Sequence, residues 1–377
     1  MNIYLHIPFC ARKCVYCDFY SVGGKQIPVS RYISAVIEEF NAHPEAHRRE
    51  DYTLYIGGGT PSLLAVKDLE PAIAHIIAKK GEPAEFTIEV NPDDVTGVKA
   101  KEWRASGIDR VSMGVQSLVD DELTAIGRRH DAAGVRKAYE IIRRNFENVS
   151  LDLMFGLPGQ TLTSLCGTLD RFIAMRPEHI SAYSLMYEER TALTRLRDAG
   201  KITELPEDDS VAMFTMLSGR LAAAGYEQYE ISNYSLPGYR SMHNSAYWQG
   251  IAYLGLGPGA HSYDGLRTRK WNEPDLKRYM EYWSGPRILD AENAFVTSHE
   301  HLDDSELAEE MIMTRLRTRD GLSIAEYARR FGIAEAGRLI NSAKKEINEG
   351  RLKNIGNNLI LTPAGIMLSD QVITALF

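Results

Sequence analysis

The sequence predicts an α/β fold: six β/α units making a barrel or partial barrel, followed by a mostly helical, winged-helix-like module. Three observations predict it. Short apolar strand candidates alternate with helical patterns through the first half of the chain. Residues of unusual chemistry collect just behind those strand candidates. From about residue 303 the pattern changes to three helices and a small hairpin. Sustained β/α alternation calls for a parallel sheet with covering helices. Six units suit a barrel or partial barrel, with a doubly wound open sheet as the runner-up.

The expected strands span residues 3–7, 53–56, 86–90, 110–115, 149–154 and 180–185. Helical periodicity fills 32–40, 69–79, 100–105, 121–126 with 135–144, and 162–175. CARKCVYC follows the first strand and GGGTPS the second. Glu89 and Asn91 end the third, GVQS the fourth, and Asp152 with GLPGQ the fifth. In a parallel array all strand C-termini share one rim, so these scattered features converge there. Residues 207–290 are less regular. A helix over 211–224 ends at Gly225, and strands are expected around 228–231 and 267–271. Between them lie HNSAYW (243–248) and the glycine-rich LGLGPGAHS (254–262). Beyond 303, helices carry SELAEEMIMTRLR, SIAEYARRF and GRLINSAKKEINEG. Strands 352–355 and 359–361 are turned by GNN, and a last helix starts at Pro363. The expected division is a barrel over 1–230, a connecting β and irregular region over 231–290, and a helical module over 291–377.

The 377 residues are 44% hydrophobic and 25% charged, the balance of a globular protein with a sizeable core. A formal net charge of -8 argues against a nucleic-acid or anionic-membrane partner, because phosphate binding needs clustered Lys and Arg. The winged-helix-like region shares this: residues 303–377 hold 10 Lys and Arg against 11 Asp and Glu, without the basic footprint that DNA requires. No run of 18 apolar residues occurs, so no membrane-spanning segment is expected. MNIYLHIPFC lacks the basic and apolar regions of a signal peptide, and a cytoplasmic location is the expectation.

Three of the four cysteines lie within eight residues, as Cys10-x3-Cys14-x2-Cys17. In a reducing compartment such a cluster points to metal binding rather than disulfides. Thiolates are soft ligands for iron–sulfur clusters and zinc. A structural site closes with four protein ligands. Here the run supplies three, which leaves one iron of a [4Fe-4S] cube open to another ligand. Competing readings are a zinc site with His6 as fourth ligand, a disulfide with a free thiol, and inert core cysteines. Cys166 stands alone in a helical pattern and reads as a small buried residue. GGGTP permits close backbone approach. Glu89, Gln116, Arg128 and Asp152 are further polar candidates at the rim. Arg128, in GRRH, could equally be a solvated helix end. Asp152 lies between apolar residues of a strand and needs a partner.

The cysteine run opening a β/α array resembles the radical S-adenosylmethionine (SAM) superfamily, over roughly residues 2–230. The resemblance implies a partial (β/α)6 radical SAM barrel, SAM on the open iron, and Tyr16 packed against the SAM adenine. The wider set YLHIPFC, YIGGGTPS, EVNP, GVQS, DLMFGLPGQT and LILTPAGIMLSDQV resembles the oxygen-independent coproporphyrinogen oxidase-like family, nearly end to end. That family joins the barrel to a C-terminal helical domain. It implies SAM contacts at Tyr4, Gly58, Gly59, Thr60, Glu89, Gln116, Arg128 and Asp152.

The family has two branches, the coproporphyrinogen III dehydrogenases and the HemW-type haem chaperones. The dehydrogenases carry a fourth cysteine in C-x3-C-x2-C-x-C, where this sequence has Phe19. They also carry a long segment before the first strand, for which Cys10 stands too near the start of this sequence. HNSAYW resembles the HNxxYW motif of the chaperones. This branch implies haem held at the barrel mouth through His243, Asn244, Tyr247 and Trp248, and passed to acceptor haemoproteins such as respiratory enzymes, with transient contact where these sit in membranes. On composition alone, His243 and Asn244 would cap a turn, and Tyr247 and Trp248 would be core. His261, in GPGAHS, is a second candidate. The alternative function is radical decarboxylation of coproporphyrinogen III.

Overall fold

In the computed structural model, residues 1–23, 28–285 and 297–377 are described. Six strands succeed one another: β1 (Asn2–Ile7), β2 (Thr53–Gly58), β3 (Glu85–Val90), β4 (Arg110–Gln116), β5 (Asn148–Phe155) and β6 (His179–Ser184). Each is parallel to the next, and each expected strand falls on one of them. Between them run helices such as Val29–Asn41, Val66–Lys80, Gly97–Ala105, Ala132–Arg143 and Leu162–Met175.

Alternation along the strands explains both the packing and the site. Ile3, Leu5, Ile7, Leu54, Ile56, Phe86, Ile88, Val111, Met113, Val149, Leu151 and Ile180 fall on one face and are buried in one apolar core with the helices. The residues between them fall on the other face and are polar: Tyr4, His6, Tyr55, Thr87, Glu89, Arg110, Ser112, Ser150, Asp152 and His179. Several are buried all the same, with Thr87 and His179 at 0% exposure and Arg110 at 1%. A buried polar face needs internal partners for its hydrogen-bonding groups.

The same sheet continues on both sides. β7 (Glu227–Gln228) and β8 (Asn233–Ser235) lie beyond β6 and are antiparallel to each other. β9 (Tyr253–Leu256) pairs parallel with β1, followed by antiparallel β10 (His261–Tyr263), β11 (Thr268–Asn272) and β12 (Thr297–His301). Among the described residues the order is β12-β11-β10-β9-β1-β2-β3-β4-β5-β6-β8-β7. The division expected at 230/231 therefore runs between two paired strands. The one expected at 290/291 lies outside the described residues. β9 was expected only as a glycine-rich connection. Gly255 sits within it because a Cβ there would collide with the His261 carbonyl oxygen.

The C-terminal part runs in winged-helix order. Helix Asp304–Leu316 starts with a capping box between Asp303 and Glu306. Strand β13 (Leu322–Ser323), helices Ile324–Phe331 and Ile333–Asn348, and strands β14 (Leu352–Ile355) and β15 (Asn358–Leu361) follow. The expected hairpin is present, turned at Gly356 and Asn357, both with positive φ. Met311, Leu322, Tyr327, Leu339, Leu359 and Val372 belong to a second apolar cluster.

Candidate functional site

The cysteine loop leaves β1 and folds back on itself. The Val22 amide donates to the Pro8 carbonyl at 2.6 Å, and the Cys10 amide to the Val22 carbonyl at 3.1 Å. Val15 is fixed on both sides, its amide on the Ile126 carbonyl and its carbonyl accepting from the Leu193 amide. Arg12 donates to the Gly127 carbonyl at 2.6 Å. Cys10, Cys14 and Cys17 are all free thiols. Burial pushes the Cys17 thiol up, and Cys14 and Cys10 are near enough to push the same way. Arg128 brings a guanidinium nitrogen within 3.7 Å of the Cys14 sulfur, and Thr60 Oγ1 lies 3.4 Å from the Cys10 sulfur. Tyr16 packs against a small cluster of Ile126, Met154, Leu157, Leu185 and Leu193.

Three free thiols on one anchored loop, beside a cation, fit an iron–sulfur group held by soft ligands. Among the described residues, no three His, Cys, Asp or Glu side chains are gathered into a ready-made metal-binding group. His6 does not serve as a fourth zinc ligand here. Its Nε2 meets the Tyr20 carbonyl at 2.9 Å and its Nδ1 the Tyr4 hydroxyl at 3.2 Å, so both ring nitrogens are taken.

The ends of β2 to β5 meet the loop. Gly58 has φ +108°, and a Cβ there would stand 2.5 Å from His6 Nδ1. At Gly59 a Cβ would press on the Phe9 and Ile7 carbonyls and the Cys10 sulfur. Both glycine amides are engaged, Gly58 to Glu89 Oε2 at 3.0 Å and Gly59 to the Ile7 carbonyl at 2.8 Å. Glu89 also accepts from the Tyr55 hydroxyl at 2.9 Å. Burial, then repulsion from Asp152, pushes Glu89 up to about 7. Asp152 accepts from Ser112 Oγ at 3.1 Å, and burial pushes it up to about 6. Gln116 is buried at a register shift between β4 and β5, with φ +71°. Arg128 is no solvated helix end: it donates to the Gly114 carbonyl, and its Nε is buried without an acceptor.

HNSAYW lies elsewhere. It forms the helix Met242–Trp248, with Ser241 as N-cap accepting from the Asn244 amide. His243 is 2% exposed and touches the strand starts, whereas the cysteines stand beyond the strand ends. Its Nδ1 lies 2.6 Å from Thr53 Oγ1 and its Nε2 3.0 Å from the Tyr247 hydroxyl. The structure thus moves His243 from the expected barrel mouth to the opposite end of the same strands. Burial, then the Arg110 charge, pushes the imidazole down to about 3, so it is neutral. Tyr55 stacks on it at 4.9 Å. Trp248 has its Nε1 buried without an acceptor and the Arg317 guanidinium over its ring at 5.1 Å. His261 is exposed and stacks on Trp271.

Sequence reasoning missed Glu85. Its Oε1 accepts from the His243 amide at 3.0 Å and from Ser241 Oγ at 3.3 Å, and its Oε2 from the Met242 amide at 3.0 Å. The one signal in the sequence was a carboxylate heading an apolar strand, EFTIEV.

Known proteins match this chain in family and fold. The Radical SAM superfamily matches residues 4–172, and the HemN C-terminal domain matches residues 302–368. The structure resembles coproporphyrinogen III oxidase HemN from Escherichia coli, a radical SAM enzyme, with a TM-score of 0.83 over 100% of this chain and 89% of that one, at 20% identity. Fold and cysteine loop together define a radical SAM protein. The chain is 35% identical to "Heme chaperone HemW" of Bacillus subtilis over 99% of its own length and 98% of that protein's. It is 34% identical to the protein of the same name from Mycobacterium tuberculosis, over 100% and 94%. It belongs to the HemW family. No helix among the described residues is long and apolar enough to cross a membrane.

Proposed function

We propose that this protein is a haem chaperone: it binds haem through the HNSAYW segment, hands it to acceptor haemoproteins such as respiratory enzymes, and carries a [4Fe-4S] cluster with SAM. The observation that carries this reading is the alignment, over nearly the whole of both chains, with relatives named heme chaperones. Phe19, 69% exposed where the dehydrogenases have a fourth cysteine, supports the same branch.

Cys10, Cys14 and Cys17 would hold the cluster. A bound cluster with SAM supplies one-electron chemistry. Tyr4, Tyr16, Gly58, Gly59, Thr60, Glu89, Gln116, Arg128 and Asp152 would hold SAM. Glu89 and Asp152 accept hydrogen bonds from hydroxyl or ammonium groups, and Arg128 pairs with a carboxylate. Because the Gly58 and Gly59 amides are already engaged, the turn offers carbonyl oxygens to an ammonium.

At the other end, His243 is neutral and so has a lone pair for iron. The Tyr247 hydroxyl lies on Nε2 and must turn aside before iron reaches it. Asn244 and Trp248 belong to the same helix. Haem titration of the reconstituted full chain, with and without SAM, tests the reading by absorption spectroscopy. About one haem per chain is expected, bound more weakly by His243→Ala. An unchanged titration in that variant removes His243 from the site. Protoporphyrinogen formed from coproporphyrinogen III in an anaerobic assay would contradict the chaperone reading.

A further inference from the structure

Tyr247 and Trp248 form one wall of a cavity of about 210 Å³. Its other walls come from β11, through Arg269, and from the C-terminal helices, through Glu310, Arg315 and Arg330. Three arginines thus face a single carboxylate, in a chain whose net charge is -8. Arg269 is neutralised by Glu310 and by Glu300 at 3.2 Å. Arg315 donates to Glu326 at 3.2 Å and to the Gln249 carbonyl at 3.3 Å. Arg330 is exposed and stands over the Phe331 ring at 5.3 Å, with no carboxylate partner among the described residues. Trp248 brings a second mismatch, a buried indole N–H without an acceptor. The unpaired Arg330 guanidinium, the partly paired Arg315 beside it and an unmatched N–H next to aromatic rings suit a planar ligand that carries carboxylates. The cavity is smaller than the roughly 300–1,000 Å³ that encloses a drug-sized ligand, so it admits one edge of a porphyrin and not the whole.

We propose that this cavity receives the propionate-bearing edge of haem, with Arg330 and Arg315 meeting the carboxylates and Tyr247 and Trp248 flanking the ring. The inference rests on the haem reading above. The rest of the macrocycle lies outside this cavity, with the iron turned toward His243 behind the Tyr247 hydroxyl. A ligand gripped by one edge remains accessible to an acceptor, which suits delivery better than full enclosure.

The test titrates the full-length protein with haem and with haem dimethyl ester, whose carboxylates are blocked. The same pair is run on Arg330→Gln, Arg315→Gln and the double variant. Esterification is expected to weaken binding to the wild type about tenfold, the scale of a lost charge-assisted hydrogen bond. Each variant should weaken free haem by a similar factor. The penalty of esterification should shrink in the double variant, because the two changes remove the same contact. Equal wild-type affinities for haem and its diester overturn the proposal and leave the haem reading standing. A wild type that binds neither overturns both. The wild-type comparison decides the matter even if a variant fails to fold.

Discussion

Glu89 and Asp152 stand on the polar face of one sheet, pushed up to about 7 and about 6 from ordinary values of 4.5 and 3.8. Burial is the first cause for each. Their folded values lie above their unfolded ones, so the folded state binds more protons in between. Without ligand, their contribution to stability is fully present below the unfolded values and is lost as pH rises through about 6 and about 7. A ligand that donates hydroxyl or ammonium hydrogens needs the ionised form and gains over the same window. SAM affinity should therefore rise about tenfold between roughly pH 5.5 and 8, and Glu89→Gln should flatten the profile. Isothermal titration across that range checks it, and a flat wild-type profile would remove Glu89 from the SAM site. His243 works in the other direction. Its value of about 3 lies below the ordinary 6.5, so its contribution is present above 6.5 and is lost as pH falls. Gly58 is a third constrained position. Gly58→Ala adds a Cβ at φ +108° against the His6 ring and should destabilise the fold by about 2–4 kcal/mol, as read by urea unfolding.

The elements that were legible in the sequence were those with short-range signals. Short apolar runs separated by helical patterns marked all six parallel strands, and the chemistry behind the first five marked their common rim. Asp152 was expected to need a partner, and Ser112 on the neighbouring strand is one. β9 was not legible. Its strand identity comes from pairing with β1, some 250 residues earlier, and its glycines lower the local propensity. The position of HNSAYW was also illegible. It is set by Glu85 and Thr53, which contact His243 across more than 150 residues of sequence. Glu85 takes up the first amides of a helix of only 7 residues, too short to hold itself together. Glu85→Ala leaves those amides and the Ser241 hydroxyl without their carboxylate. It should cost about 2–4 kcal/mol in chemical denaturation and loosen His243. An unfolding midpoint equal to wild type would show that the helix is held by something else.

Across the whole molecule, the cysteine loop and the HNSAYW helix lie at opposite ends of the same strands, and Tyr55 joins Glu89 to His243. Its hydroxyl donates to Glu89 and its ring stacks on His243. The C-terminal module meets the sheet through paired backbones, the Ile231 amide on the Arg317 carbonyl and the Arg319 amide on the Tyr229 carbonyl. Ion pairs such as Arg240–Asp320 at 3.3 Å are exposed and add little each. The module's Glu310, Arg315 and Arg330 line the cavity beside Tyr247 and Trp248. The proposed SAM site depends on the identity of the N-terminal loop, which low-temperature EPR tests most directly on oxygen-free, reconstituted and reduced protein. The wild type should give the signal of a [4Fe-4S] cluster that changes when SAM is added, and Cys14→Ser should lose it. A wild type without that signal, or a Cys14→Ser protein that keeps it unchanged, would contradict the assignment.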